Sequence, residues 1–234
     1  MKDNIDSKKI GNRKFIIELR YNPVVAMLDK RGRIVEAIEK SKCFGKFHWE
    51  INTGEVTIRD HEDKDKSKNI VYVTFNRLSF ISYKIDSIEG FYSGFKKAYD
   101  AIIEVLGELT IQRIGCRIIG TYKVSSDDFP SVLNHFKDAF PSKFFFEKYP
   151  AKDLSFTLTY QNGMYITGPV GDDDAFYKKE FDLDGCIKHV GVAIDTDNYL
   201  TNEVKDINDK NLIKDVYNLS LAVEKDVYSN LENF

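Results

Sequence analysis

The fold is decided by residues 88–124, IEGFYSGFKKAYDAIIEVLGELTIQRIGCRIIGTYKV, because two spacings of apolar residues meet there. Apolar side chains first recur every three or four residues, which predicts a helix that buries one face. These side chains are Ile88, Phe91, Phe95, Tyr99, Ile102 and Leu106. Asp86 is a candidate N-cap for this helix, and Gly107 is a candidate end. The β-branched residues at 111–124 then predict a long strand, so the chain mixes helices with strands.

Similar elements are predicted on both sides of this stretch. Before it we expect a strand at 15–20, a helix at 31–42, a hairpin at 47–60, and strands at 70–76 and 79–84. After it we expect a helix capped by Asp127 or Asp128, with Val132, Leu133, Phe136 and Phe140 on its apolar face. Asn162-Gly163 and Asp184-Gly185 predict two hairpins, with strands at 154–160, 164–169, 176–183 and 186–195. A helix at about 208–231 ends the chain.

The order of elements predicts an α+β fold with an internal duplication. Each half contains a strand, a helix, four strands and a helix, so we expect one globular unit over 1–234, with pseudo-repeat halves at 14–108 and 109–234 and a flexible segment at 1–13. The strands should form one curved antiparallel sheet with the long helices on a single face, an arrangement similar to the saddle of the TATA-binding protein. The alternative is a helix-grip fold around the C-terminal helix.

Composition excludes several classes of protein. The chain has 234 residues, of which 42% are hydrophobic, which is enough for a buried core. No apolar run approaches the roughly 20 residues that cross a bilayer, and the N-terminal residues lack the pattern of a secretory signal. Cys43, Cys116 and Cys186 are widely spaced, so we expect neither disulfides nor a zinc site. We therefore expect a cytoplasmic protein with no membrane association.

The charge argues against nucleic acid as the main partner. The net charge is −3, with an excess of basic residues in 1–50 and of acidic residues in 151–234. Nucleic-acid-binding domains are usually basic overall. A local basic face remains an alternative, formed by Lys8, Lys9, Arg13, Lys14, Arg31 and Arg33.

Three segments carry a resemblance to a known family. They are IELRYNPV at 17–24, LTIQRIGCRIIGTYKV at 109–124, and VAIDTDNY at 192–199 followed by the terminal helix. Together they resemble an uncharacterised, sporadically distributed bacterial family of single chains of about this length, although Cys116 and residues 118–120 depart from its arginine-glycine-arginine strand. The resemblance implies a compact fold and a patchy distribution typical of phage-defence or mobile-element loci. It implies no activity and no catalytic residues.

A polar face is the strongest candidate site. Arg113 and Arg117 are four residues apart on one predicted strand, so their side chains share a face, and Asp195, Asp197 and Tyr199 share a face of another. Two guanidiniums there could hold a phosphate or carboxylate in bidentate fashion. The alternative, which we favour, is a cross-strand ladder of ion pairs with a structural role.

Other chemistry-bearing residues predict no catalytic, metal or cofactor site. The aspartates at 172–174, with Asp182 and Asp184, match no ion-binding loop, so a solvated acidic turn is the better interpretation. No glycine-rich phosphate loop joins a strand to a helix. Catalysis by Cys116 with His189 would require an exposed thiol.

These observations favour a non-enzymatic binding or protein-interaction module, without a cofactor. The terminal helix offers a seam for self-association, formed by Leu212, Val216, Leu219 and Val223, so a homodimer is a further expectation. The alternative function is a nucleic-acid-binding accessory factor that uses the sheet face.

Overall fold

A computed structural model describes residues 5–63, 66–85, 87–138, 153–171, 180–181, 190–201 and 210–234. These ranges contain nine strands and four helices. The strands are β1 (Ile10–Tyr21), β2 (His48–Ile51), β3 (Glu55–Arg59), β4 (Asn69–Thr74), β5 (Arg77–Ser82), β6 (Ile111–Tyr122), β7 (Phe156–Tyr160), β8 (Gly163–Val170) and β9 (Gly191–Thr201). The helices are α1 (Met27–Ser41), α2 (Ile88–Leu106), α3 (Phe129–Asp138) and α4 (Lys210–Leu231).

The described strands form one antiparallel open sheet, which confirms the predicted α+β class. Their order is β2-β3-β4-β5-β1-β6-β9-β8-β7, so β2 and β7 are its edges. In each half of the chain the last described strand lies beside the first: β5 beside β1, and β9 beside β6. The internal duplication and the saddle-like arrangement stay predictions.

The chain divides into two compact units, and the predicted pseudo-repeat halves stay a prediction. The first unit consists mainly of residues 14–117 and 198–218, and the second of residues 2–13, 118–197 and 219–234. The division falls inside β1, β6, β9 and α4, so each of these elements contributes residues to both units.

In the first unit, helices cover one face of the sheet. Phe91 of α2 lies with its ring centroid 5.6 Å from that of Phe80 on β5 and 6.2 Å from that of Phe15 on β1. Gly94 lets α2 approach this closely, because a Cβ there would lie 2.6 Å from the Phe80 ring. The predicted apolar stripe of α2 is confirmed at Phe91, Phe95 and Ile102, whose side chains are buried.

The second unit has its own apolar core under α3 and the later part of α4. Its buried residues include Tyr122, Val132, Phe136, Val192, Ile194, Val227 and Tyr228. The carboxylate of Asp128 accepts a hydrogen bond from the backbone N–H of Ser131 at 3.0 Å, which confirms Asp128 as the cap of α3.

Several predicted boundaries are wrong. β1 begins at Ile10, and Ile5 and Arg13 are buried, so the N-terminal residues are not a flexible segment throughout. The side chain of Ser87, rather than Asp86, caps α2 by accepting from the N–H of Gly90. The hairpin between β7 and β8 turns at Gln161 and Asn162, and Gly163 already pairs with Tyr160.

Some predicted elements lie outside the described residues. Asp86, Phe140, the acidic run at 172–174 and the hairpin at Asp184-Gly185 belong to this group. Within the predicted strand at 176–183, the described residues Glu180 and Phe181 are helical, so that prediction is wrong at these positions.

Candidate functional site

A cluster of charged side chains lies on the first unit's sheet face opposite the helices. Glu18 on β1 is its centre, with Oε1 at 2.7 Å from Nε of Arg20 and 3.3 Å from Nη1 of Arg113. Nη1 of Arg77 on β5 is 3.8 Å from the other carboxylate oxygen, and Nη2 of Arg77 is 3.9 Å from a carboxylate oxygen of Glu55. We call these five residues, together with Tyr199, the charged face. It contains three guanidiniums and two carboxylates.

Strand register places two of these arginines opposite each other. β1 and β5 run antiparallel, with Glu18 facing Ser79 and Arg20 facing Arg77. Facing residues have Cβ atoms about 4.5–5.5 Å apart, and like charges at such positions destabilise a sheet. Both side chains keep contact with water, since 56% of Arg20 and 40% of Arg77 is exposed. The register therefore places two like charges at facing positions, with Glu18 and Glu55 as their carboxylate partners.

Arg113 and Tyr199, both predicted for the polar face, come together in the first unit. The guanidinium carbon of Arg113 lies 4.4 Å from the centre of the Tyr199 ring, a cation–π geometry. Gly115 leaves room for this stack, because a Cβ there would lie 3.3 Å from a guanidinium nitrogen of Arg113.

The remaining residues of the predicted face are distributed as follows. Arg117 lies on β6 in the first unit and is half-buried. Asp195 and Asp197 lie on β9 in the second unit, where Asp195 is buried and Asp197 is half-buried. That these three residues take part in binding stays a prediction.

The predicted self-association seam on α4 is mostly engaged within the chain. Val216 is buried, Val223 packs against the core of the second unit, and Leu212 is half-buried. Only Leu219, at 41% exposure, presents a largely open side chain among the four. The buried stripe of α4 runs through Ile213, Val216, Tyr217, Ser220, Glu224, Val227, Tyr228 and Leu231.

A second charged cluster lies buried in the second unit. Glu224 is 1% exposed, and its Oε1 accepts a hydrogen bond of 2.8 Å from Nε of Arg13. Nη2 of Arg13 donates to the other carboxylate oxygen, and the hydroxyl of Tyr122 donates to Oε1. The Tyr122 hydroxyl reaches Glu224 by crossing Gly120, where a Cβ would lie only 2.0 Å from it. This cluster satisfies both oxygens of the carboxylate, so we assign it a structural role.

Three members of the predicted basic face are engaged within the chain. Arg13 and Lys14 are each only 8% exposed, and Arg31 donates to the carbonyl oxygens of Leu28 and Asn52. Lys8 and Arg33 are exposed, and a role of this face in nucleic-acid binding stays a prediction.

A cleft of about 480 Å³ opens between the first halves of α2 and α4 in the first unit. Its floor is apolar, with Ile17, Phe91 and Tyr217, and its rim carries Lys96, Lys97 and Lys214. Lys96 pairs with Asp100, and Lys97 reaches the carbonyl oxygen of Lys42 at 3.5 Å, so two of the rim cations already have partners.

The described residues support neither catalysis by a cysteine nor a metal site. Cys116 is 1% exposed, which removes the accessible thiol that catalysis with His189 would require, and His189 itself lies outside the described residues. Burial raises the pKa of the Cys43 thiol, which disfavours the reactive thiolate. Within the described ranges, no group of His, Cys, Asp and Glu could hold a metal ion.

Comparison with known proteins adds no assignment: no family model and no curated sequence matches the chain. No helix in the described part of the chain is both long and apolar enough to cross a membrane.

Sequence reasoning found Arg113 and Tyr199 but missed Glu18, Arg20 and Arg77. The segment IELRY shows only alternation of apolar and polar residues, and a charged residue at such a position usually points to solvent. The register between β1 and β5 creates the cluster, and that register joins residues about sixty positions apart.

Proposed function

We propose that the chain is a non-enzymatic binding module of a bacterial cytoplasmic system, and that it holds an acidic segment of a partner protein on the charged face. The observation that carries the proposal is the facing pair Arg20 and Arg77. A like-charged facing pair costs stability in the free protein, and a carboxylate bound between the two guanidiniums would relieve the repulsion. Departures from local stability rules are expected at functional sites.

The exposure of the two arginines supports this role. Arg20 uses Nε for Glu18, and the ion pairs of Arg77 are 3.8 and 3.9 Å long, beyond hydrogen-bonding distance. Each guanidinium has five N–H donors in a planar fork that matches a carboxylate. Donors on these two side chains therefore remain for a ligand that arrives from solvent.

A protein partner fits the face better than nucleic acid does. Glu18 and Glu55 lie among the arginines and would repel a continuous line of phosphates, whereas a peptide can place its carboxylates selectively. The chain as a whole has a net charge of −3. Nucleic-acid binding remains the second candidate because Arg113 stacks on Tyr199, and an aromatic ring beside a guanidinium is a platform for bases.

The test is direct titration with two defined anions. A polyglutamate peptide and a single-stranded oligodeoxynucleotide of equal charge are titrated at low and moderate ionic strength, using calorimetry. We expect the peptide to bind, with weaker binding as salt rises, and the oligonucleotide to bind less well. The double variant Arg20→Glu with Arg77→Glu should lose most of the peptide affinity.

The matched control reverses two charges on α1, with Arg33→Glu and Lys40→Glu, because both side chains are exposed and lie outside the charged face. It changes net charge by the same amount, so it should retain the affinity of the wild-type protein. An equal loss of peptide affinity in both double variants would mean that binding depends only on net charge. It would refute a specific role of the charged face. If the oligonucleotide bound more strongly than the peptide, nucleic-acid binding would be favoured over a protein partner. Affinity capture from the host with the two double variants then identifies the partner.

A further inference from the structure

The two edges of the sheet differ in how they are protected. β2 has four residues, and its Glu50 forms an ion pair of 2.9 Å with Arg59 of β3. Short length and charge are the usual means by which an edge strand avoids pairing with another chain. β7 has five residues, Phe156-Thr157-Leu158-Thr159-Tyr160, with no charge and no proline. Among the described strands, β7 is therefore the edge that lacks the usual protection.

The sequence of β7 is self-complementary about its centre. In an antiparallel pair of two β7 strands centred on Leu158, this leucine faces its own copy, Thr157 faces Thr159, and Phe156 faces Tyr160. Leucine pairs, threonine pairs and aromatic pairs are all favourable at facing positions. The same alignment of β2 would face Trp49 with Glu50 and His48 with Ile51, which offers no comparable match.

The backbone of β7 is suitably oriented for this pairing. β7 pairs with β8 in the register Tyr160–Gly163 and Leu158–Tyr165, around a two-residue turn. The residues that close such a turn bond to each other, and bonding alternates along an antiparallel ladder. The N–H and C=O groups of Thr157 and Thr159 therefore point away from β8, toward the edge, where two copies would exchange hydrogen bonds.

Side-chain exposure on β7 fits an interface. Leu158 is 44% and Tyr160 36% exposed, while the Phe156 ring lies 5.7 Å from that of Phe136 on α3, which anchors the strand. Pairing would place the exposed Tyr160 of one copy beside the anchored Phe156 of the other.

We propose that the protein forms a two-fold symmetric dimer in which β7 pairs with β7 of a second copy and the sheet continues across both chains. A two-fold axis through Leu158 gives the isologous contact that is typical of homodimers. This inference does not depend on the charged face, which lies in the first unit.

The test uses opposite charges at the centre of the strand. Leu158→Lys and Leu158→Glu each place like charges opposite each other across the axis, so each variant should be monomeric by light scattering at concentrations where the wild-type protein is a dimer. An equimolar mixture of the two should recover the dimer, because lysine then faces glutamate. Trp49→Lys on the exposed side of β2 is the matched control and should remain a dimer.

Three results would overturn the proposal. The wild-type protein could remain monomeric up to millimolar concentration. Leu158→Lys could dimerise like the wild-type protein, which would place the interface elsewhere, for example on α4 at Leu219. The two charged variants could also be monomeric when mixed, which would contradict the register centred on Leu158. Circular dichroism of each variant checks that loss of the dimer does not come from unfolding.

Discussion

Two glutamates of this protein bind arginines in opposite environments. Glu224 in the second unit is 1% exposed and binds one arginine and one tyrosine, whereas the Glu18 side chain in the first unit is 19% exposed and lies among three arginines. The buried cluster is complete, because each carboxylate oxygen accepts a hydrogen bond from Arg13 or Tyr122. The cluster around Glu18 is partly exposed, and two of its ion pairs, those of Arg77, are longer than 3.5 Å. The same residue types therefore form a buried, fully bonded cluster in one unit and a partly exposed cluster in the other.

The largest expected effect comes from breaking the buried cluster. Glu224→Ala would leave the guanidinium of Arg13 buried without its carboxylate, and removing one member of a buried ion pair costs about 3–5 kcal/mol. We expect a loss of this size in the free energy of unfolding measured with urea. Glu55→Ala on the charged face is the control, since a partly exposed ion pair contributes about 0–1 kcal/mol.

A double variant separates charge from packing at the same site. Arg13→Met with Glu224→Leu removes both charges and keeps apolar volume, so it should be more stable than Glu224→Ala alone. If the single and double variants lost the same stability, the loss would come from the missing hydrogen bonds of Glu224 to Arg13 and Tyr122, and not from a guanidinium left buried without its carboxylate.

The next effect concerns the glycine under Tyr122. In Gly120→Ala the new methyl group would overlap the tyrosine hydroxyl, so the ring must move and its hydrogen bond to Glu224 must break. We expect a loss of about 1–3 kcal/mol, typical of overpacking, measured by thermal unfolding. Gly32→Ala is the matched control, because Gly32 lies inside α1 and an added methyl group would meet no neighbouring atom within 4 Å. It should stabilise the protein by about 0.5–1 kcal/mol, since alanine favours the helix.

The spacing of apolar residues along the chain predicted most of the fold. It predicted few of the residues in the charged face or in the buried cluster around Glu224. The stripe of α2 and the hairpins are encoded by neighbouring residues, so α2, β3, β4 and β5 lie close to where they were expected. Glu224 was missed because a charged residue on an amphipathic helix is usually solvated, and its partner Arg13 is 211 residues away. A signal was present, however. Tyr217, Ser220, Glu224 and Tyr228 follow one another at helical spacing, so the buried face of α4 can be traced through its polar members.

Register explains why the charged face was found only in part. Arg113 and Tyr199 were predicted from alternation within β6 and β9, which needs no knowledge of their neighbours. The facing of Arg20 and Arg77 depends on the pairing of β1 with β5, and a shift of one residue would send each side chain to the other face.

The smallest expected effect on stability is at the facing pair Arg20 and Arg77. Arg77→Ala removes a like charge opposite Arg20 together with two ion pairs longer than 3.5 Å, so the losses and gains should nearly cancel. We expect thermal unfolding to change by no more than about 0.5 kcal/mol, in contrast to the buried cluster. The affinity for the polyglutamate peptide should nevertheless fall, because one of the two guanidiniums that would bind a carboxylate is missing. A large loss of stability together with unchanged peptide affinity would instead make Arg77 a structural residue like Arg13, and the two clusters would then have the same role.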